Sequence, residues 1–145
     1  MANKTITSAN AVLTITAAGV FPAPQRIQGF ATDKAWDVPA VKRTEVVMGV
    51  DGHMSAGYTP KEVPMTITLQ ADSPSKDIFA AIDEASQTTR EIVEMSGTLV
   101  LTATGESWTF TRGFLTNYMP VPSGQKTLQP QDVEITWESA RHAIL

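Results

Sequence analysis

The feature that most limits the fold of this chain is alternation. Threonine stands between apolar residues in Leu13-Thr14-Ile15-Thr16 and in Met65-Thr66-Ile67-Thr68-Leu69, and polar residues do the same in Val133-Glu134-Ile135-Thr136-Trp137. A period of two sends successive side chains to opposite faces of a strand, so each segment describes a sheet surface with one dry side and one wet side. Threonine is β-branched and suits a half-exposed pleated surface. Nineteen of the 145 residues are threonine, which extends the same reading to most of the chain.

Residues 11–18 read as a first strand. Residues 26–38 read as a second, with Pro22 and Pro24 before it, Pro39 after it and a bulge at Gly29. Residues 42–50 and 53–59 are the two limbs of a hairpin joined at Asp51-Gly52, a two-residue turn signal. Residues 63–71 form the next strand, with Met65, Ile67 and Leu69 on one face and Thr66, Thr68 and Gln70 on the other. The period then changes. Ser73-Pro74 resembles an N-cap followed by proline in the first helical position, and Asp77 falls in the first turn. A helix is predicted over residues 74–87, with Ile78, Ile82 and Ala85 on one face and Phe79 beside them, plugging one open side or end of the sheet.

Strand pattern returns near Glu91. Residues 98–104 alternate, with Leu99, Leu101 and Ala103 on one face. Gly105-Glu106 turns the chain into residues 107–118, where Trp108 and Phe110 share a face and Gly113 resets the register. Residues 119–130 hold three prolines and Gly124, and read as a long loop of the kind that is usually functional or disordered. The last strand turns Val133, Ile135 and Trp137 inward and Asp132, Glu134, Thr136 and Glu138 outward. Seven or eight strands and one helix, without repeat or linker, predict a single domain over residues 1–145. Its class is mainly β, a sandwich or barrel.

Few kinds of chemistry fit this composition. There is no cysteine, which removes disulfides, thiol catalysis and thiolate metal sites. The net charge is −4 and the basic residues are scattered, against tight nucleic-acid binding. No run approaches the ~18 apolar residues of a membrane helix. Residues 11–23 have the length of a signal-peptide core, but Thr14 and Thr16 break it and give it a strand pattern. Asn3-Lys4-Thr5 is a glycosylation sequon in form only.

Asp51 and His53 stand two residues apart, yet a triad needs a nucleophile and a third group, and Asp-Gly has a complete explanation as a turn. A zinc site needs three or four ligands, and the other histidine, His142, is distant in sequence. Ser123-Gly124-Gln125-Lys126-Thr127 lacks the spacing of a phosphate loop. Glu134 and Glu138 could form an acid–base pair but read more simply as a solvated face. Trp108 and Trp137 read as core, and Trp36 could serve a binding platform. No catalytic residue, cofactor or metal is expected.

The hairpin is odd for a monomer. Val46, Met48 and Val50 lie on one face of its first limb with Val47 on the other, and its tip is rich in glycine. A lone two-stranded hairpin is marginal in water and needs something to pack against. The threonine-rich strands also carry few of the prolines and lysines that protect an edge, which suggests pairing between chains.

The words Val46-Val47-Met48-Gly49-Val50-Asp51-Gly52-His53, Gly57-Tyr58-Thr59-Pro60, Ala71-Asp72-Ser73-Pro74, Leu115-Thr116-Asn117-Tyr118, Leu128-Gln129-Pro130-Gln131 and Ile135-Thr136-Trp137-Glu138-Ser139 resemble the tail tube proteins of phages with contractile tails. The resemblance spans most of the chain and rests on the number and order of these words. It implies a tail tube fold in which homo-hexameric rings stack into a hollow inner tube within a sheath. It implies partners in the tail sheath, baseplate and tail terminator proteins, with genomic DNA passing through the lumen unbound, no membrane partner, and a place in the virion tail assembled in the host cytoplasm.

By the same resemblance, Val46, Met48, Gly49, Asp51, Gly52, His53, Met54 and Tyr58 belong to an inter-ring stacking hairpin. Glu134, Thr136, Glu138, Thr66, Thr68 and Gln70 are candidates for the lumen face, where acidic groups would repel DNA phosphates. Tailocin and type VI secretion tubes share the fold, so a tube subunit of such a system is an alternative. Two others are a monomeric β-sandwich binding module using Trp36 and the 119–130 loop, and a small β-barrel enzyme in which Asp51, His53, Glu134 and His142 converge.

Overall fold

A computed structural model describes residues 11–31 and 35–144. Its elements run β1 (Ala11–Ala17), β2 (Phe21–Arg26), β3 (Trp36–Asp37), β4 (Thr44–Met48), β5 (Met54–Tyr58), β6 (Val63–Leu69), α1 (Lys76–Thr89), β7 (Met95–Leu101), β8 (Glu106–Tyr118) and β9 (Gln131–Ile144). Seven strands form one antiparallel sheet in the order β2-β1-β7-β8-β9-β6-β3, and among the described residues β4 and β5 pair only with each other. The fold is mainly β and sandwich-like, as the alternation predicts. The formal sequon Asn3-Lys4-Thr5 lies outside the described residues.

The period-two segments become the core strands. In β1 and β6 every second residue is buried, and β9 repeats the pattern from Gln131 to Trp137. Leu13, Ile15, Met65, Ile67, Ile135 and Trp137 line the dry interior, with Phe79 and Ile82 of α1 packed among them. Ile78 and Ala85 are only partly buried, so the helix leans on the sheet through Phe79 and Ile82.

Nine strands appear among the described residues, and the second predicted strand, residues 26–38, is not formed as such: β2 ends at Arg26 and only Trp36–Asp37 of that stretch makes β3. Residues 32–34 of that stretch lie outside the description. Pro22 and Pro24 lie inside β2 rather than before it. The sheet tolerates them because β2 is its outermost strand and bulges there: residues 22–24 stand opposite Thr16 alone. After β2 the chain changes partner. The N–H of Ile27 donates to Leu13 O at 2.8 Å, on the β1 side. Phe30 already bridges Leu69, the N–H of Ala31 donates to Thr68 O, and β3 pairs with β6. One short piece of chain thus touches both ends of the sheet and draws it round on itself.

Gly29 marks no bulge. Its φ is +74°, and a Cβ on it would lie 2.5 Å from Ser73 Oγ. The close approach is held by two serines. Ser73 Oγ donates to Gln28 O at 2.5 Å, and the Gln28 N–H donates to Ser75 Oγ at 2.6 Å. With both hydroxyls committed to this crossing, the helix begins at Lys76 rather than residue 74. Ser75 stands at the cap without a side-chain capping bond. It ends two residues later than expected, at Thr89, where Arg90 turns left-handed at φ 56°.

β7 also shifts from expectation. It ends at Leu101, and Ala103 sits in the turn closed by the Gly105 N–H donating to Leu101 O at 2.9 Å. The register reset assigned to Gly113 occurs just before it, where Thr111 and Arg112 together oppose Ser96. Arg112 has φ 45°, and across it the buried positions step from Phe110 to Gly113, three apart. Gly113 instead leaves room for the Trp137 ring, which a Cβ there would overlap. That ring stacks on Phe110 with centroids 5.1 Å apart.

Candidate functional site

Every residue from 42 to 58 is exposed. Within this arm β4 and β5 register Val46 with Ala56 and Met48 with Met54. Directly opposed residues share a face, so Val46, Met48, Met54, Ala56 and Tyr58 form an apolar side. Glu45, Val47, Ser55 and Gly57 form the other. Met48 is 64% exposed, Met54 55% and Tyr58 73%. A pair of strands showing this much apolar surface has no core of its own. The Lys42–Glu45 ion pair at its foot, 3.1 Å long and exposed, adds little.

The tip is a three-residue loop, not the two-residue turn expected at Asp51-Gly52. The Gly49 N–H donates to His53 O at 2.7 Å, and the Gly52 N–H donates to Gly49 O at 3.0 Å. Val50 and Asp51 are thus the central turn residues. Gly52 follows at φ +86°, the left-handed position that favours glycine in such loops. Asp51 Oδ1 accepts the His53 backbone N–H at 3.1 Å, so the carboxylate serves the turn.

Asp51 and His53 sit at this tip, while Glu134 and His142 have other partners. Glu134 Oε1 accepts from Asn117 Nδ2 at 3.0 Å and Thr116 Oγ1 at 3.1 Å. His142 Nε2 lies 2.7 Å from Glu106 Oε2, its ring 5.3 Å from that of Trp108. The convergence required of an enzyme is therefore not formed. Trp36 and the 119–130 loop are also apart. Trp36 packs edge-on against Phe30 at 5.9 Å, whereas Thr127, Leu128 and Pro130 face a shallow cleft with Gln70, Ala71 and Asp72.

Five of the six lumen candidates lie on the wet side of β6 and β9. Thr66 registers with Glu134, and Thr68 Oγ1 donates to Asp132 Oδ1 at 2.9 Å. Thr136 and Thr116 hydroxyls meet at 3.1 Å, and Glu138 faces Arg112 at 3.6 Å. Gln70 departs from the set: β6 ends at Leu69, and the Gln70 N–H donates to Gly29 O at the chain crossing. Arg112 was not foreseen. Its guanidinium stands between Glu94 and Glu138 and 5.3 Å from the Phe114 ring centre. Only the bulge puts it there, and a bulge leaves no mark in the alternation.

Tyr118 registers with inward-facing Val133 and packs on the core side of the sheet, toward α1. Burial, then the Asp83 and Asp77 carboxylates, hold its phenol above the ordinary tyrosine pKa, because each disfavours the phenolate. A second unforeseen feature is a cavity of about 550 Å³ whose walls include Trp36, Leu99, Leu101, Trp108 and Phe110. Among the described residues no cluster of three or more acidic or histidine side chains could hold a metal ion, and no helix is long and apolar enough to cross a membrane.

Comparison with solved structures finds this fold elsewhere. A chain in the cryo-EM structure of the anti-feeding prophage tube-terminating cap matches with a TM-score of 0.63 and 12% identity, over 100% of this chain and 95% of that one. A chain in the sheath/tube terminator of an extracellular contractile injection system, PVC, in its extended state also gives 0.63, at 10% identity and 99% coverage of both chains. A chain in the sheath–tube complex of PVC gives 0.58 at 12% identity, over 92% of this chain and 88% of that one. At such identities the likeness is one of fold. No curated protein sequence matches. Residues 4–141, nearly the whole chain, match the family described as Tail fiber protein gp32. The chain therefore belongs to the tail fiber protein gp32 family, and is a tail protein with a fold found in contractile injection systems.

Proposed function

We propose that this protein is a structural subunit of the inner tube of a contractile tail. Homo-hexameric rings stack through the arm, residues 42–58, into a conduit for the genome inside a sheath. The observation that carries this reading is the arm itself, an ordered strand pair with an apolar face and no core to cover it. The family description names a tail fiber, while the fold matches chains from cap, terminator and sheath–tube assemblies over most of their length. A ring-and-tube role accommodates both the fold and the arm. The wet face with Asp132, Glu134 and Glu138 would line the lumen, where carboxylates repel DNA phosphates and let the genome slide. Sheath, baseplate and terminator proteins would be its partners. The same subunit could serve a related injection particle, since the fold is shared.

Negative-stain electron microscopy of concentrated protein tests the assembly. Rings or tubes are expected. Glu45 and Gly57 are directly paired, so an Asn-Gly turn can replace residues 46–56 without opening the ladder. This shortened protein should keep its circular dichroism spectrum and form no stacks. Long tubes from it would remove the arm from the interface.

A further inference from the structure

β9 outruns the strand beside it. Its pairing with β6 stops at Val63↔Trp137, while its pairing with β8 continues to Glu106↔Ile144. Among the described residues, nothing pairs with the second edge of residues 138–144. That open edge borders the cavity of about 550 Å³. Ala140 and His142 of β9 share its wall with Leu99, Leu101 and Trp108, while Val63, residues 36–38 on and just after β3, and Arg43 at the foot of the arm stand on the β6 side. Leu99, Leu101, Trp108 and Phe110 give this open trough an apolar floor. Among the described residues, no strand covers the trough on this side. Open main-chain groups beside an apolar trough are the two things an added strand uses: ladder bonds for affinity, and a place for alternate side chains.

The same chain carries a strand pair with the matching needs. Among the described residues β4 and β5 bond only to each other, so each keeps an outer edge, and one face of the pair is apolar. Being exposed along its length, the arm does not fill the trough of its own chain. We propose that the trough and the open edge of residues 138–144 receive the arm of a second copy, which adds beside β9 and turns Val46, Met48 and Met54 into the cavity. Donor and acceptor are different surfaces of one chain, so the contact is heterologous and propagates from copy to copy. The proposal rests on the assembly reading and adds to it the receiving surface.

The chain has no cysteine, so introduced ones report alone. Met48→Cys and His142→Cys proteins would be mixed, assembled and oxidised with copper phenanthroline. Disulfides form only where Cα atoms approach within about 7 Å, so the bond reads position. A mixed covalent dimer, several-fold more abundant than from either variant alone or from an Ile92→Cys and His142→Cys mixture, is expected. Val46→Cys replaces Met48→Cys if that variant does not assemble. Assemblies visible by microscopy without the mixed dimer would overturn the receiving surface and leave the assembly reading standing. An Ala2→Cys/His142→Cys double variant that cross-links within one chain would also overturn it, by giving the trough to the chain's own N-terminal segment. No assembly at any concentration would remove the underlying reading and this one with it.

Discussion

Gly113 and Trp137 show how one missing side chain can organise a sheet. The Trp137 ring is fully buried and occupies the space over Gly113. Gly113→Ala should therefore destabilise the protein by about 1–3 kcal/mol, the usual effect of overpacking, seen as a lower urea midpoint with an unchanged slope. Tyr118 gives a prediction in pH. Its folded pKa is raised above the ordinary 10.0. The fold thus prefers the neutral phenol, and the stability this provides is fully present below about pH 10 and is lost as pH rises through the higher folded value. Thermal melts should show a steeper alkaline decline in the native protein than in Tyr118→Phe. Equal declines would place the effect elsewhere.

Among the elements, the serine clamp and the arm are opposites. Ser73 and Ser75 are buried and bind both backbone groups of Gln28, so Ser73→Ala should lower stability by about 1–3 kcal/mol through an orphaned carbonyl. On the arm, Val46→Ser, Met48→Ser and Met54→Ser should each change monomer stability by no more than about 0.5 kcal/mol, because these side chains are already in water. Together they should abolish assembly, read by sedimentation. The same contrast explains what the sequence could disclose. β1, β6 and β9 were legible because one buried face forces a period of two, and the arm because Asp51-Gly52 sits between apolar limbs. β2 was not, because its prolines signal a break in an inner strand and are harmless on an outer bulged one. The late start of α1 was hidden because Ser73 and Ser75 answer to Gln28, some 45 residues away in sequence. The arm was legible, but the trough was not, being made where β9 overruns β6.

Over the whole molecule, stability should be uneven. Hydrogen exchange of unassembled protein should be slow along β6, β9 and β1 and fast in residues 42–58, with protection reaching the arm only on assembly. Uniform protection in the monomer would contradict its exposure. The way the arm is rooted adds a mechanical property. Its two roots leave the sheet in one direction, from the end of β3 and the start of β6, and β3 pairs with β6 as well. A pull on the arm therefore runs along β6, whose seven registered pairs with β9 lie side by side across the line of force. Loaded in shear, those pairs must fail together, whereas a strand pulled from its flank peels one bond at a time. The arm is exposed to solvent along its length but strongly tethered at its roots.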